Sequence, residues 1–323
     1  MKILVTGGAG FIGSAFLWKL NSEGIDDILV VDDLGRSDKW KNLVNRRYTD
    51  YVHKSAFLSL LDSGRLDPIE AVIHMGACSS TTERDADFLM ENNFHFSTAL
   101  AEHALHKHIR MINASSAATY GDGSQGFSDS RETMLTLKPM NMYGYSKQLF
   151  DLWALKKGAL SDIASLKFFN VFGPNEYHKE DMCSMVFRGF NQIRETGCLR
   201  LFKSYRPEYE DGGQRRDFVY VKDCVEVMWW LLEHPDANGV FNIGTGKDRT
   251  WNDLASALFS AMGLDLNIDY IPMPDSLKDR YQYYTRAEME KLTQAGCPVS
   301  FTGLEAAVGD YVKHYLQQED VYL

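Results

Sequence analysis

The chain has 323 residues, 45% hydrophobic and 24% charged, with 34 Lys and Arg against 44 Asp and Glu for a formal charge of −10. That composition excludes a disordered or fibrous polypeptide, and the acidic balance with no long basic run argues against a nucleic-acid partner. The opening apolar run is too short for a signal peptide and no stretch reaches the ~20 apolar residues of a membrane span, so a cytoplasmic protein with no membrane partner is expected.

In chain order, the first half alternates short β-branched runs with helical patterns. Strands are predicted at Lys2–Thr6, Ile28–Asp32, Ala71–Met75, Arg110–Ser115 and Ser165–Asn170. Helices are predicted between them at Phe11–Glu23, Lys54–Ser63, Phe88–His106 and Tyr143–Lys157. This rhythm predicts an α/β fold with a doubly wound parallel sheet (Rossmann), its strands buried on both faces. After Asn170 the pattern changes. Gly173-Pro174 breaks it, a helix is predicted at Met182–Glu195, and a polar, Gly-containing segment runs through Ser204–Arg215. A strand at Asp217–Val221, helices at Val225–Glu233, Trp251–Met262 and Leu304–Leu316, and a strand at Val240–Ile243 follow. The expected division is a dinucleotide-binding domain of residues 1–170 plus about 217–244, and a smaller C-terminal α/β substrate domain of 171–216 plus about 245–323. The five cysteines (Cys78, Cys183, Cys198, Cys224, Cys297) make no CxxC or metal-like spacing. They suit a reducing compartment, as buried small hydrophobes, and no metal is expected.

Thr6-Gly7-Gly8-Ala9-Gly10-Phe11-Ile12-Gly13 joins the first strand to the first helix. Gly7 permits a tight turn, Gly10 lets backbone approach a pyrophosphate, and Gly13 allows close helix–strand packing. Free N–H groups and the positive helix end then meet the phosphates. The acid that ends the second strand, Asp32, suits ribose hydroxyls and hence NAD, whereas Arg36, Lys39 and Lys54 suit the 2′-phosphate of NADP. Spacing leaves that choice open.

Tyr143 and Lys147 stand four apart on one face of a predicted helix, and Ser115-Ser116 ends a predicted strand. The order Ser, Tyr, Lys after a dinucleotide loop predicts removal of a proton from a secondary alcohol as hydride leaves for a nicotinamide. A free tyrosine titrates near ~10 and must fall by roughly three pH units to act at neutrality. The Lys147 ammonium and the nicotinamide ring are expected to supply that bias, with Ser116 holding the reacting oxygen.

Several strings carry a resemblance: Gly76-Ala77-Cys78-Ser79-Ser80-Thr81-Thr82-Glu83, Ala114-Ser115-Ser116-Ala117-Ala118-Thr119-Tyr120-Gly121 and Asn170-Val171-Phe172-Gly173-Pro174. Met140-Asn141-Met142-Tyr143-Gly144-Tyr145-Ser146-Lys147, Arg216-Asp217-Phe218-Val219-Tyr220-Val221 and Lys278-Asp279-Arg280-Tyr281-Gln282 add to it. The glycine loop and the Tyr/Lys pair resemble all extended short-chain dehydrogenase/reductases, and the first two strings resemble the ADP-L-glycero-D-manno-heptose 6-epimerase family. The resemblance implies inversion at C6 of a nucleotide-linked heptose, a precursor of lipopolysaccharide inner core, by hydride transfer to tightly held NADP through a 6-keto intermediate. It implies one cofactor per subunit, a nucleotide-diphosphate sugar as substrate and a homo-oligomer, with five subunits expected.

Carried over by position, the resemblance gives Lys179 the second proton-handling role; His178 beside it reads as a structural or solvated histidine. It assigns Phe11, Ile12, Asp32, Asp33, Lys39, Lys54, Met75, Gly76, Ala77, Cys78, Ser79, Asn92, Lys147, Val171 and Lys179 to the cofactor. It assigns Ser116, Asn170, Asp181, Arg188, Phe202, Lys203, Ser204, Tyr205, Arg216 and Tyr281 to the substrate, with Arg216 pairing diphosphate oxygens. Met75, Asp181, Arg188 and a longer 204–215 segment depart from the family pattern, all on the substrate side, so another nucleotide sugar stays open, including a GDP-linked heptose or a 4-epimerase substrate. The absence of an acidic set at Ser115-Ser116-Ala117 argues against a dehydratase. Retention of both Tyr143 and Lys147 argues against a non-catalytic redox sensor.

Overall fold

The computed structural model describes residues 1–64, 68–278 and 281–323. Asp279 and Arg280 of the Lys278–Gln282 string lie outside these described residues. Seven parallel strands form the main sheet: β1 (Ile3–Thr6), β2 (Ile28–Asp32), β3 (Asp50–His53), β4 (Ala71–His74), β5 (Arg110–Ser116), β6 (Ile163–Phe168) and, after three strands placed elsewhere, β10 (Gly239–Ile243). Their spatial order is β10-β6-β5-β4-β1-β2-β3, so the chain reverses direction across the sheet at β1. The crevice beyond the strand ends at that switch point is where a dinucleotide fits in such sheets. β1, β2, β4, β6 and β10 are buried along their whole length, which is why their sequences read as continuous apolar runs.

The remaining strands build two smaller sheets. β7 (Asn170–Phe172), β9 (Arg215–Tyr220) and β11 (Asp248–Thr250) form one, and β8 (Leu199–Phe202) pairs in parallel with β12 (Ile268–Ile271) in the other. The predicted Ser165–Asn170 strand is thus two strands in two sheets, parting at Phe169. Val240–Ile243 rejoins the main sheet beside β6 as expected, while the Arg215–Tyr220 strand joins the smaller sheet. The helix expected from Met182 begins at Met185, capped by Ser184, because a tight Tyr177–Met182 turn precedes it.

The predicted Phe88–His106 helix runs from Ala86 to His106 with a π-helical stretch at Met90–His95. That wider turn carries Asn92 and Asn93, and such insertions often mark functional sites. Among the described residues, no helix is long and apolar enough to cross a membrane, and no group of three or more His, Cys, Asp or Glu could hold a metal ion.

Candidate active site

A single cleft of about 1340 Å³ lies over the C-terminal ends of β1, β2, β4 and β5 and reaches the β7 and β8 segments. Its floor is the glycine loop. Gly7 takes φ +68°, and a Cβ there would come within 2.6 Å of the Gly76 nitrogen. A Cβ on Gly13 would lie 2.1 Å from the Gly7 carbonyl oxygen. The loop is therefore folded as tightly as backbone permits. The 12-residue helix Phe11–Ser22 starts from Gly10 with no side-chain cap and no acid in its first turn, leaving its positive end open to an anion.

Asp32, at the end of β2, has both carboxylate oxygens occupied within the protein. Oδ2 accepts from Ala9 N at 2.8 Å, and Oδ1 accepts from Asp33 N at 2.7 Å and Lys39 Nζ at 2.5 Å. This differs from an acid left free for ribose hydroxyls. Lys54 donates to Asn92 Oδ1 at 3.0 Å and stands 3.4 Å from Asp33. Burial acts to raise the Asp33 carboxyl, but the charge of Lys54 beside it leaves it below the usual carboxylate value.

The reacting-group trio comes from two elements. Ser116 ends β5, and the helix Met142–Lys157 carries Tyr143 and Lys147 on its inner face. Asn141 caps that helix through Gly144 N at 2.8 Å, and Gly158 ends it at φ +74°. Gly144 has a second role: a Cβ there would meet the Ala118 carbonyl oxygen at 2.6 Å, so only glycine lets the helix approach the turn after Ser116. Tyr143 and Ser116 consequently lie side by side in the cleft, and the Ser116 hydroxyl acts to lower the phenol. The expected depression of Tyr143 is not found in the protein alone: burial pushes the phenol up, and Ser116 opposes that. Lys147 donates to the Ala114 carbonyl at 2.7 Å, and burial brings its ammonium down to about 8.

Lys179, in the Tyr177–Met182 turn, has its ammonium 5.4 Å from the Phe11 ring centre. Burial lowers its pKa while Glu176 works to raise it. Asn175 sets the direction of this turn with a left-handed φ of 78° while fully buried. Its side chain donates to Ser14 at 3.0 Å and accepts from Leu323 N at 3.0 Å, and Tyr177 donates to the Val321 carbonyl at 2.5 Å. His178 is held by Asn42 at 3.2 Å and, chiefly by burial, titrates down near 4, in keeping with a structural role.

Apart from Arg36, which is exposed and outside the cleft, the residues expected at the cofactor line it, as do Ser116, Tyr143, Lys147, Lys179, Asn170, Arg188, Phe202 and Tyr281. Asp181, Lys203, Ser204, Tyr205 and Arg216 do not. Asp181 and Lys203 face solvent. The Ser204 hydroxyl donates to the Arg206 carbonyl at 2.9 Å within its own loop, and Tyr205 N donates to Tyr283 Oη of a distant segment at 3.0 Å. Arg216 is buried behind the wall, 5.7 Å from the Trp251 ring and 5.2 Å from that of Tyr281, and donates to the Arg215 and Gln282 carbonyls. The expected Arg–diphosphate pair therefore requires these bonds to be exchanged.

Sequence reasoning passed over Asn93. Buried on the π turn, it accepts from Cys78 N at 2.8 Å and donates to Cys78 O at 2.9 Å and Ser146 Oγ at 3.1 Å. It pins the loop after β4 to the Tyr143 helix. An Asn-Asn pair inside a helical pattern, where asparagine is a poor fit, was the available signal.

His74, at the end of β4, is fully buried between Thr6 Oγ1 at 2.5 Å and Ser97 Oγ at 2.7 Å. Burial, reinforced by the Lys147 charge, holds it down near 3. An unfolded histidine titrates near ~6.5, so between these values the unfolded chain binds the extra proton. This contribution to stability is complete above the unfolded value and is lost as pH falls toward the folded one, at about 1.4 kcal/mol per pH unit. Urea unfolding from pH 7 to pH 5 should show that slope, reduced in His74→Asn; an equal slope in both proteins would assign the acid sensitivity elsewhere.

The model of the NAD dependent epimerase/dehydratase family matches residues 3–244. The chain is 63% identical over 321 residues to an ADP-L-glycero-D-manno-heptose-6-epimerase of Nitratidesulfovibrio vulgaris, covering 99% of each protein. It is 50% identical to the protein of the same name from Fusobacterium nucleatum, covering 99% of this chain and 100% of that one. The crystal structure of the Helicobacter pylori ADP-L-glycero-D-manno-heptose-6-epimerase superposes with a TM-score of 0.79 at 27% identity, covering 97% of this chain and 95% of that one.

Proposed function

The chain belongs to the NAD dependent epimerase/dehydratase family, and on that premise we propose that it inverts C6 of ADP-D-glycero-D-manno-heptose to the L-glycero epimer, a precursor step for lipopolysaccharide core. The observation that carries this reading is one cleft holding the glycine loop, the Ser116–Tyr143–Lys147 set and Lys179 together, in a chain alike over its full length to proteins of that activity. A nicotinamide cofactor suits the folded glycine cradle, and when bound it supplies reversible hydride acceptance from C6. Gly7, Gly10 and Gly13 and the open helix end hold its phosphates.

The chain's own residues manage the protons. Tyr143 takes the proton of the C6 hydroxyl while Ser116 holds that oxygen in place. Lys147, hydrogen-bonded to Ala114 and still an ammonium at neutral pH, favours the phenolate. The resulting 6-keto sugar turns within the cleft and takes the hydride back on its other face, where Lys179, from a separate element, returns a proton to the oxygen. No net oxidation results.

We read the cofactor as NADP. With Asp32 engaged by Lys39 and Lys54 close by, this end of the cleft carries paired rather than free carboxylate charge and offers ammonium groups to a 2′-phosphate. Lys39→Ala should weaken NADP about tenfold, the loss of one charge-assisted hydrogen bond, with little effect on NAD. Calorimetric titration of both cofactors into stripped protein measures this, and equal losses for the two would remove the assignment.

The function itself is tested by proton NMR of the purified protein with ADP-D-glycero-D-manno-heptose and no added cofactor. The L-glycero epimer should accumulate without net ketone. Unchanged substrate beside bound nicotinamide would overturn the heptose reading and leave the family assignment standing.

A further inference from the structure

Beneath the Ser–Tyr–Lys set lies a buried ion pair to which no role has yet been given. Asp151 lies on the Tyr143 helix, one turn beyond Lys147 and two beyond Tyr143, so the three side chains follow one face. Lys167 stands on β6, in register with Ser115 of β5. Their charged atoms are 2.8 Å apart and neither side chain is exposed at all.

The pair is tied into the end of the catalytic strand. Asp151 accepts from Ser115 Oγ and from Ser165 Oγ, each at 2.7 Å. Lys167 Nζ donates to Thr119 Oγ1 at 2.7 Å, and the Thr119 hydroxyl donates to the Ser116 carbonyl at 2.8 Å. The same ammonium lies 5.2 Å from the Tyr120 ring centre.

Stability alone is a poor account of it. Desolvating two charges offsets most of their attraction, and apolar side chains of similar volume commonly serve a core as well or better. Its place beside Lys147 is more informative. A buried ammonium with no countercharge loses its proton. The groups facing Lys147 are Tyr143 and Asp151 on its own helix, the neutral Ala114 carbonyl on β5, the neutral His74 imidazole on β4 and, behind Asp151, Lys167 on β6. Cys78 faces Tyr143. Among these facing groups, Asp151 is the one carboxylate.

We propose that Asp151 is a positioning residue that keeps Lys147 protonated in the buried site, and that Lys167 keeps Asp151 ionised while Ser115 and Thr119 lock the strand end to it. The proposal rests on the reading of Tyr143 and Lys147 as the proton-handling pair. Burial draws Lys147 down to about 8, and Asp151 is the group that acts against that pull.

The decisive variant is Asp151→Asn with Lys167→Met, which removes both charges and orphans neither. Lys147 is followed by lysine 13Cε NMR in the cofactor-loaded protein, its resonance assigned by its loss in Lys147→Arg, alongside the pH–rate profile of epimerisation. The Lys147 midpoint should fall by about one pH unit, the alkaline limb of kcat should move with it, and turnover at pH 8 should drop about fivefold. KM should hold, and Asp151→Glu should restore the wild-type midpoint. Lys167→Met alone, which removes the charge that keeps Asp151 ionised, should also move the midpoint downward, and it decides the matter if the double variant does not fold. A folded, cofactor-loaded variant with an unmoved midpoint overturns the proposal. If the wild-type protein fails to epimerise the heptose, the functional reading falls, while the NMR midpoint still decides the role of Asp151.

Discussion

Tyr143→Phe should leave a folded, cofactor-loaded protein whose kcat is about 10³-fold lower. The substitution removes one oxygen and keeps the ring, so the packing of the Met142–Lys157 helix against the turn after Ser116 is undisturbed. On the proposed mechanism, what goes is the acceptor for the C6 proton and its interaction with Ser116. Burial already pushes the Tyr143 phenol up, so wild-type activity depends on the bound state and on Lys147 to bring it down. The phenylalanine variant has no group for those influences to act on. Conversion of the heptose followed by NMR, with the melting temperature as control, measures the loss. A decrease of less than about tenfold would shift the principal proton-handling role to Lys179.

The other large effect is structural. Gly13→Ala should weaken cofactor retention by about 10²-fold and cost about 1–3 kcal/mol of stability. The new methyl would sit 2.1 Å from the Gly7 carbonyl oxygen, 2.8 Å from its carbon and 3.1 Å from Gly8 Cα. All three are backbone atoms in the tightest part of the loop, so no side chain can swing aside. The loop must open, and the N–H groups aimed at the phosphates move with it. Gly309→Ala is the control. It lies within the Leu304–Tyr311 helix with open space around its Cα, so it should be neutral or mildly stabilising. Nucleotide content after gel filtration and thermal unfolding of both variants separate the two. Full cofactor retention in Gly13→Ala would mean the phosphates are held by other groups.

The sheet was legible because β1, β2, β4, β5 and β6 are mostly or wholly buried and wrote continuous apolar runs into the chain. β3 was missed for the opposite reason. Asp50 and His53 are exposed at its ends, so four residues of an edge strand carry too little pattern to stand out from a loop. The β8–β12 pair was missed because strands whose partners lie 69 residues apart in sequence, at Leu199↔Ile268, leave no local sign of their pairing. Chemistry that lies within one helix or one turn, such as Tyr143 with Lys147 or the Gly7–Gly13 loop, was readable from spacing. Chemistry made by two distant elements was not. Asp151 looks like one more polar residue in a helix and Lys167 like an interruption in a strand, until β6 packs beneath the helix. The substrate-side residues fared worst. The order of residues cannot show that the Tyr205 backbone binds Tyr283 or that Arg216 is stacked between two rings. The expectation for Tyr143 also needed three dimensions, since desolvation is a property of neighbours.

The bond from Leu323 to Asn175, and that from Tyr177 to Val321, have a consequence for the order in which the protein is made. Synthesis runs from the N-terminus, and the β1–β6 region with the Tyr143 helix leaves the ribosome well before residues 321–323 exist. A nascent chain can therefore assemble its nucleotide cradle early while the turn carrying Lys179 still lacks two of its anchors. The glycine cradle is assembled early in synthesis, and the Lys179 turn is fastened later, once residues 321–323 have emerged.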